Sequence, residues 1–116
     1  VDLLDCVVAT RHARNANLFT SGGVVKIRNS AWGRDFRPLD ADCSCYTCRE
    51  FSRSYLRHLY QRAEILGPVL GTIHNLTWFQ RLMSDLREAI SAGRALEFRK
   101  SCRQGGLFSD HAVPGP

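Results

Sequence analysis

Cys43-Ser44-Cys45-Tyr46-Thr47-Cys48 puts three thiols into six residues, and His74 follows after 25 intervening positions. Zinc takes four tetrahedral ligands, and thiolates with imidazole suit it. A tight Cys-x-Cys-x-x-Cys loop can present three thiolates to one ion, and a His from the start of the next helix completes the set. Cys43, Cys45, Cys48 and His74 are therefore expected to hold one structural zinc. Four protein ligands leave no open position, so such a site clamps rather than catalyses. Its binding energy would be folding energy. Two other readings of the same residues are free buried thiols beside a surface histidine, and an iron–sulfur cluster. Cluster runs usually offer four Cys or other spacings.

The rest of the composition fits that reading. The 116 residues suffice for one small domain. Five cysteines is an odd number, and no export signal precedes them, so a disulfide framework does not fit and a reducing cytoplasm does. No apolar run is long enough for a transmembrane helix, and membrane partners are not expected. The first residues, Val1-Asp2-Leu3-Leu4-Asp5, lack the basic and apolar regions of a signal peptide. They enter an apolar run at once, as a piece of a longer chain would. The net charge is +5, and 14 of the 16 cations are Arg. Arg forks match phosphates and stack on bases. On charge alone, a nucleic-acid partner and an ordinary solvated surface remain equally open.

Outward from the cysteines, the pattern reads as mixed α/β. Leu3–Val8 is a short buried strand interrupted by Asp5. Thr10–Asn17 is polar and basic and reads as a loop. Leu18–Thr20 and Val24–Arg28 flank Ser21-Gly22-Gly23, a hairpin signal. Residues 29–42 read as a connection. Residues 46–66 have helical spacing, with Phe51, Tyr55, Leu59 and Ala63 four apart, and Gly67-Pro68 is expected to stop that helix. A second helix is expected from Asn75 as N-cap, with Leu76, Phe79, Leu82, Met83, Leu86 and Ile90 as its apolar face and Gly93 as its end. Ala95–Cys102 adds a short helix. The Gly- and Pro-rich end from Gly105 reads as disordered. His12, His58 and His111 read as surface or packing histidines, and Cys6 and Cys102 as free thiols.

Asp5 stands out. A buried carboxylate is costly and is kept for a partner or for chemistry. In a strand Asp2 points to the opposite face and reads as structural. By the residues alone, Asp5 reads first as a strand-end structural group and second as a catalytic one.

Several motifs then combine in order. They are Asp2-Leu3-Leu4-Asp5-Cys6-Val7, Thr10-Arg11, Ala13-Arg14-Asn15, Lys26-Ile27-Arg28-Asn29, Pro38-Leu39-Asp40, the cysteine motif, Ser52-Arg53-Ser54-Tyr55-Leu56, Glu64-Ile65-Leu66-Gly67 and Thr72-Ile73-His74-Asn75-Leu76. Over roughly residues 1–100 the chain closely resembles the C-terminal third of the bacterial tRNA-guanine transglycosylases, enzymes of queuosine biosynthesis. The resemblance implies a C-terminal fragment of a (β/α)8 barrel with an inserted zinc-binding subdomain, the fragment itself mostly helical with a β-hairpin. Residues 1–16 would hold the last barrel strand and a basic loop. Residues 17–74 would be the hairpin and zinc subdomain, 75–103 the last barrel helix region, and 104–116 a disordered tail.

The resemblance also implies a reaction. Wobble guanine in tRNA is exchanged for a 7-deazaguanine through a covalent glycosyl-enzyme. It places the nucleophile at Asp5, which reverses the first reading of that residue, since catalytic groups of such barrels sit at strand ends. It places RNA contacts at Arg11 and Arg14, with Lys26 and Arg28 as weaker ones. It implies a homodimer formed partly near the zinc subdomain. The general acid/base and the base pocket would lie in the preceding two-thirds of the family's length, so the 116 residues alone are expected to be inactive. The aminomethyl precursor is the expected incoming base. The competing function is a non-catalytic zinc-binding RNA module or partner subunit, which would have no use for Asp5. One departure is visible: family members commonly carry Gly after the Arg-Asn of the basic loop, and here Ala16 follows Asn15. A position needing positive φ would strain Ala.

Overall fold

The computed structural model describes residues 7–104. Asp5, Leu3–Cys6 as a strand, and the expected disordered tail lie outside the described residues. The elements run α1 (Val8–Arg14), β1 (Asn17–Thr20), β2 (Gly23–Lys26), a 3-10 turn (Ser30–Trp32), α2 (Tyr46–Glu50), α3 (Arg53–Gln61), α4 (Leu66–Ser91) and α5 (Ala95–Gln104). The described part is mostly helical with one two-stranded hairpin. No helix among the described residues is long and apolar enough to cross a membrane.

The hairpin forms where expected. Leu18 pairs with Val25, Phe19 with Val24 and Thr20 with Gly23. Gly23 sits at φ 117°, where only Gly is at ease. The Thr20 hydroxyl donates to the Gly23 carbonyl at 2.7 Å, and the buried Asp40 carboxylate accepts the Ser21 N–H at 2.9 Å. An isolated two-stranded hairpin is marginal in water. Here both faces are covered. Leu18 and Val25 enter the main core with Ile27, Leu56, Leu59 and Leu70. Phe19 and Val24 enter a second cluster with Trp78. That is why consecutive apolar residues, not alternating ones, make these strands.

Helix α4 is the hub and touches α1, α2, α3, α5 and β1. Its buried residues in the first turns are Gly67, Leu70, Gly71, His74, Asn75 and Trp78, one stripe at helical spacing. Gly71 permits the closest approach. A Cβ there would stand 2.3 Å from the Tyr60 hydroxyl oxygen and 2.9 Å from Leu18 Cδ2. Tyr60 is itself fixed, since its hydroxyl donates to the Ala13 carbonyl at 2.7 Å.

Several expectations need correction. Val7 and Val8 belong to the start of α1, not to a strand, and Thr10–Asn17 is largely helix rather than loop. Ala9 and Ala13, four apart, bury one face of α1, while Arg11 and Arg14 stay exposed. The continuous helix over 46–66 is broken into α2 and α3 by extended backbone at Phe51-Ser52. There the Ser52 hydroxyl caps α3 by accepting the Tyr55 N–H at 3.2 Å. Tyr55 and Ala63 are exposed, and the buried face of α3 is Leu56, Leu59 and Tyr60. Gly67-Pro68 does not stop a helix but opens α4, because a Pro in a first turn gives up only an N–H that has no helical partner. Asn75 is not an N-cap but a mid-helix, fully buried residue. On the face expected to be apolar, Leu76 and Ile90 are exposed, while Phe79 and Leu82 pack on the second cluster. Gly93, at φ 72°, does end α4, and α5 covers the expected short helix.

Ala16 lies at φ 62°. The strain is on the order of 1 kcal/mol for a non-Gly residue, and the buried methyl in the main core offsets part of it. The connection over residues 29–42 is pinned to α3. Arg53 bonds the Asp35 carboxylate at 3.1 Å and the Leu39 carbonyl at 3.0 Å. Its guanidinium stacks over Trp32, 4.8 Å from the ring centre.

Gly71→Ala tests this packing. It should lower unfolding free energy by about 2 kcal/mol, as overpacking of a filled core does, measured by chemical denaturation. An unchanged midpoint would mean that Tyr60 and Leu18 yield freely.

Candidate metal centre

The loop that carries the cysteines is built by short-range turns. The Cys43 N–H donates to the Asp40 carbonyl at 3.1 Å, and the Asp42 N–H donates to the Asp40 carboxylate at 3.0 Å. Cys45 is the N-cap of α2, with its sulfur accepting the Cys48 N–H at 3.4 Å. This turn aims Cys45 and Cys48 the same way. Thr47 between them is fully buried, and its hydroxyl donates to the Leu70 carbonyl at 2.7 Å. That bond fixes α2 against α4 one turn before His74.

His74 comes from the third turn of α4, not from a helix start as expected, and is fully buried. Its Nδ1 faces two sulfurs, 3.2 Å from Cys48 and 3.5 Å from Cys45. Its Nε2 lies 2.5 Å from the Phe19 carbonyl. Nε2–H therefore donates to the main chain and leaves Nδ1 with a lone pair toward the sulfurs. A ligand histidine characteristically has this arrangement, because its second nitrogen sets the tautomer and the ring orientation. Cys45 and Cys48 are buried and Cys43 is half-buried. The ligand atoms of Cys43, Cys45, Cys48 and His74 all lie within 4.8 Å of one another. Tetrahedral zinc bonds of about 2.0–2.3 Å need ligand atoms roughly 3.6–3.8 Å apart. The four residues are thus positioned to hold a metal ion, and three soft sulfurs with one imidazole suit zinc chemistry.

Burial pushes the Cys48 thiol well up, and the neighbouring sulfurs of Cys45 and Cys43 add to it, against a lowering by the Asp40 main chain. A metal ion reverses that logic, since a coordinating thiol is deprotonated outright.

Of the other residues singled out in the sequence, Arg11 and Arg14 lie three apart and exposed on α1. Lys26 and Arg28 are also exposed, at the end of β2 and just beyond it. Asp5 lies outside the described residues. His12 is a packing histidine, its ring 5.2 Å from that of Phe19, and His58 is exposed. Sequence reasoning missed Thr47, Asn75 and the Phe19 carbonyl. The first two sit beside ligands in sequence, the one available signal. The third is a backbone group and leaves no trace in residue identity.

Residues 1–105 match the family described as "Queuine tRNA-ribosyltransferase". The chain is 56% identical over 100 residues to the queuine tRNA-ribosyltransferase of Francisella tularensis subsp. novicida (strain U112). It is equally similar to that of subsp. tularensis (strain SCHU S4 / Schu 4), and 55% identical to that of subsp. mediasiatica (strain FSC147). Each alignment covers 86% of this chain and 27% of the relative. The chain thus spans about a quarter of the length of these relatives.

Metal uptake should release protons, because thiols must lose theirs to ligate zinc and burial raises the Cys48 thiol above its ordinary range. Zinc titration by calorimetry in two buffers of different ionisation heat should show at least about one proton released per ion, with affinity falling as pH falls. A buffer-independent heat would contradict thiolate ligation.

Proposed function

The chain belongs to the queuine tRNA-ribosyltransferase family, and on that premise we propose that it is part of a tRNA-guanine transglycosylase, exchanging the wobble guanine of tRNA for a 7-deazaguanine. The observation that carries this reading is the family match over residues 1–105, which includes the Asp2-Leu3-Leu4-Asp5-Cys6 motif. In this reading residues 1–16 carry the end of the last barrel strand and a basic segment, 17–74 the metal-binding subdomain, and 75–103 the last barrel helix region. Val69, Leu76 and Ile90, 46%, 44% and 59% exposed on α4, support burial of that helix against further polypeptide in a whole barrel.

Asp5 is the nucleophile. Its carboxylate attacks the ribose anomeric carbon as the bond to guanine breaks. Guanine leaves with a proton from an acid outside these 116 residues. The incoming base then attacks the same carbon, the ester bond breaks, and the carboxylate is restored. Two displacements retain configuration, as in retaining glycosidases. The target nucleotide must leave its stack, which costs least in an anticodon loop. Arg11 and Arg14, side by side on α1, grip the RNA backbone. The aminomethyl precursor is the incoming base in this reading. Bound at Cys43, Cys45, Cys48 and His74, zinc supplies no reaction chemistry and clamps the cysteine loop to α4.

A homodimer is supported by an exposed aromatic surface next to the cysteine loop. Phe51 stacks on Tyr55 at 5.4 Å and meets Tyr46 edge-on at 5.5 Å, and Phe36 is 77% exposed. Aromatic surfaces of this kind serve as interface anchors.

Two measurements test the proposal, both on the 116 residues within a family-length protein. Labelled guanine should enter a tRNA with a wobble guanosine, and Asp5→Ala should abolish entry while tRNA binding persists. Entry undiminished by the substitution would remove Asp5 from the chemistry. No entry with either protein, with zinc and tRNA bound, would leave a non-catalytic RNA module. Arg11→Ala with Arg14→Ala should weaken tRNA binding and lower the slope of log affinity against log salt by about two. An unchanged slope would take α1 out of the RNA interface.

A further inference from the structure

Asn75 is fully buried in the middle of α4, next in sequence to the metal-facing His74. A buried amide must find partners or be costly, and Asn75 finds three. Its Oδ1 accepts the Phe19 N–H at 3.1 Å. Its Nδ2 donates to the Ala9 carbonyl at 3.1 Å and to the Asn17 carbonyl at 3.1 Å. The Phe19 carbonyl in turn receives the Nε2–H of His74 at 2.5 Å. Two adjacent helix residues thus hold one residue of β1 by both of its main-chain groups. The same amide also reaches α1, the helix that carries Arg11 and Arg14.

Each bond has a separate consequence. The Phe19 bond sets where the Phe19 carbonyl stands, and that carbonyl decides which nitrogen of His74 is free to bind metal. The Ala9 bond sets where α1 stands against α4. A second tether of comparable kind on α1 is the Tyr60 hydroxyl on the Ala13 carbonyl, 2.7 Å long. That bond does not run through Phe19 or His74, which provides an internal control.

We propose that Asn75 is the positioning residue of the metal centre, orienting His74 through the Phe19 carbonyl and linking metal occupancy to the placement of α1. The proposal rests on the metal reading above. Its logic is that of the outer partners of ligand histidines, whose loss typically weakens metal binding ten- to a hundredfold.

The test uses the zinc-loaded chain, with zinc affinity measured by competition against a chromophoric chelator. Asn75→Ala should weaken zinc binding about ten- to a hundredfold, and Tyr60→Phe should leave it within about twofold. In Asn75→Ala the His74 Nε2–H, followed by nitrogen-edited NMR, should exchange faster with solvent, and in Tyr60→Phe it should not. Equal affinity in Asn75→Ala and the parent chain would overturn the proposal, as would equal weakening by Tyr60→Phe. Should Asn75→Ala fail to fold, the parent chain still decides. The proposal requires metal on Nδ1, a protected Nε2–H, and α1 amides that exchange together with the Phe19 N–H in one opening event. Metal on Nε2, or α1 opening independently of Phe19, would overturn it. A parent chain that takes up no zinc would sink the metal reading and this inference with it, an outcome distinct from the variant results.

Discussion

The imidazole of His74 has two nitrogens, and the arrangement around it follows from giving each a different task. Nδ1 faces the sulfurs of Cys48 and Cys45, and Nε2 is held by the Phe19 carbonyl. A histidine so placed ties a helix, a strand and a cysteine loop together at a fully buried point. Around it, Thr47 fixes α2 to α4 and Asn75 fixes β1 and α1 to α4. The polar groups here are satisfied because each side chain reaches a main-chain partner on another element. Buried polar networks of this kind specify one arrangement when every member is paired.

The constraint extends into the packing. A helix that offers His and Asn to the interior must approach its neighbours closely, and Gly67 and Gly71 on the same stripe allow it. The hairpin lies against that stripe and is covered on both faces, so that two short strands persist without a larger sheet. The cysteine loop is held from the other side by Asp40, which also fixes the hairpin turn through Ser21. One carboxylate thus spaces the turn from the loop that carries Cys43.

Within the proposed transglycosylase, this unit would have a positioning role. It would place the basic face of α1 just after Asp5, and it would do so from a rigid base clamped by metal. Rigid support behind a reactive group is what catalysis requires of parts that do no chemistry themselves.

The sequence by itself determined the composition of the site and the local turns. Three cysteines in six residues and one His pointed to a metal set through their donor chemistry, and Ser21-Gly22-Gly23 to a hairpin because only certain residues accept such turns. Gly93 marks the end of α4 for the same reason. What tertiary structure decided was which face of α4 is buried and where helices begin. Hydrophobic spacing pointed to a face on which Phe79 and Leu82 do pack but Leu76 and Ile90 are exposed, and the buried stripe of the first turns sets Gly67, Gly71, His74 and Asn75 beside Leu70 and Trp78. Small and polar residues carry no hydrophobic signal, and their burial depends on partners such as Tyr60, Phe19 and Ala9, distant in sequence. For the same reason α1, read as a loop from its polar residues, is helix, because Ala9 and Ala13 find a neighbouring surface that only the folded chain supplies.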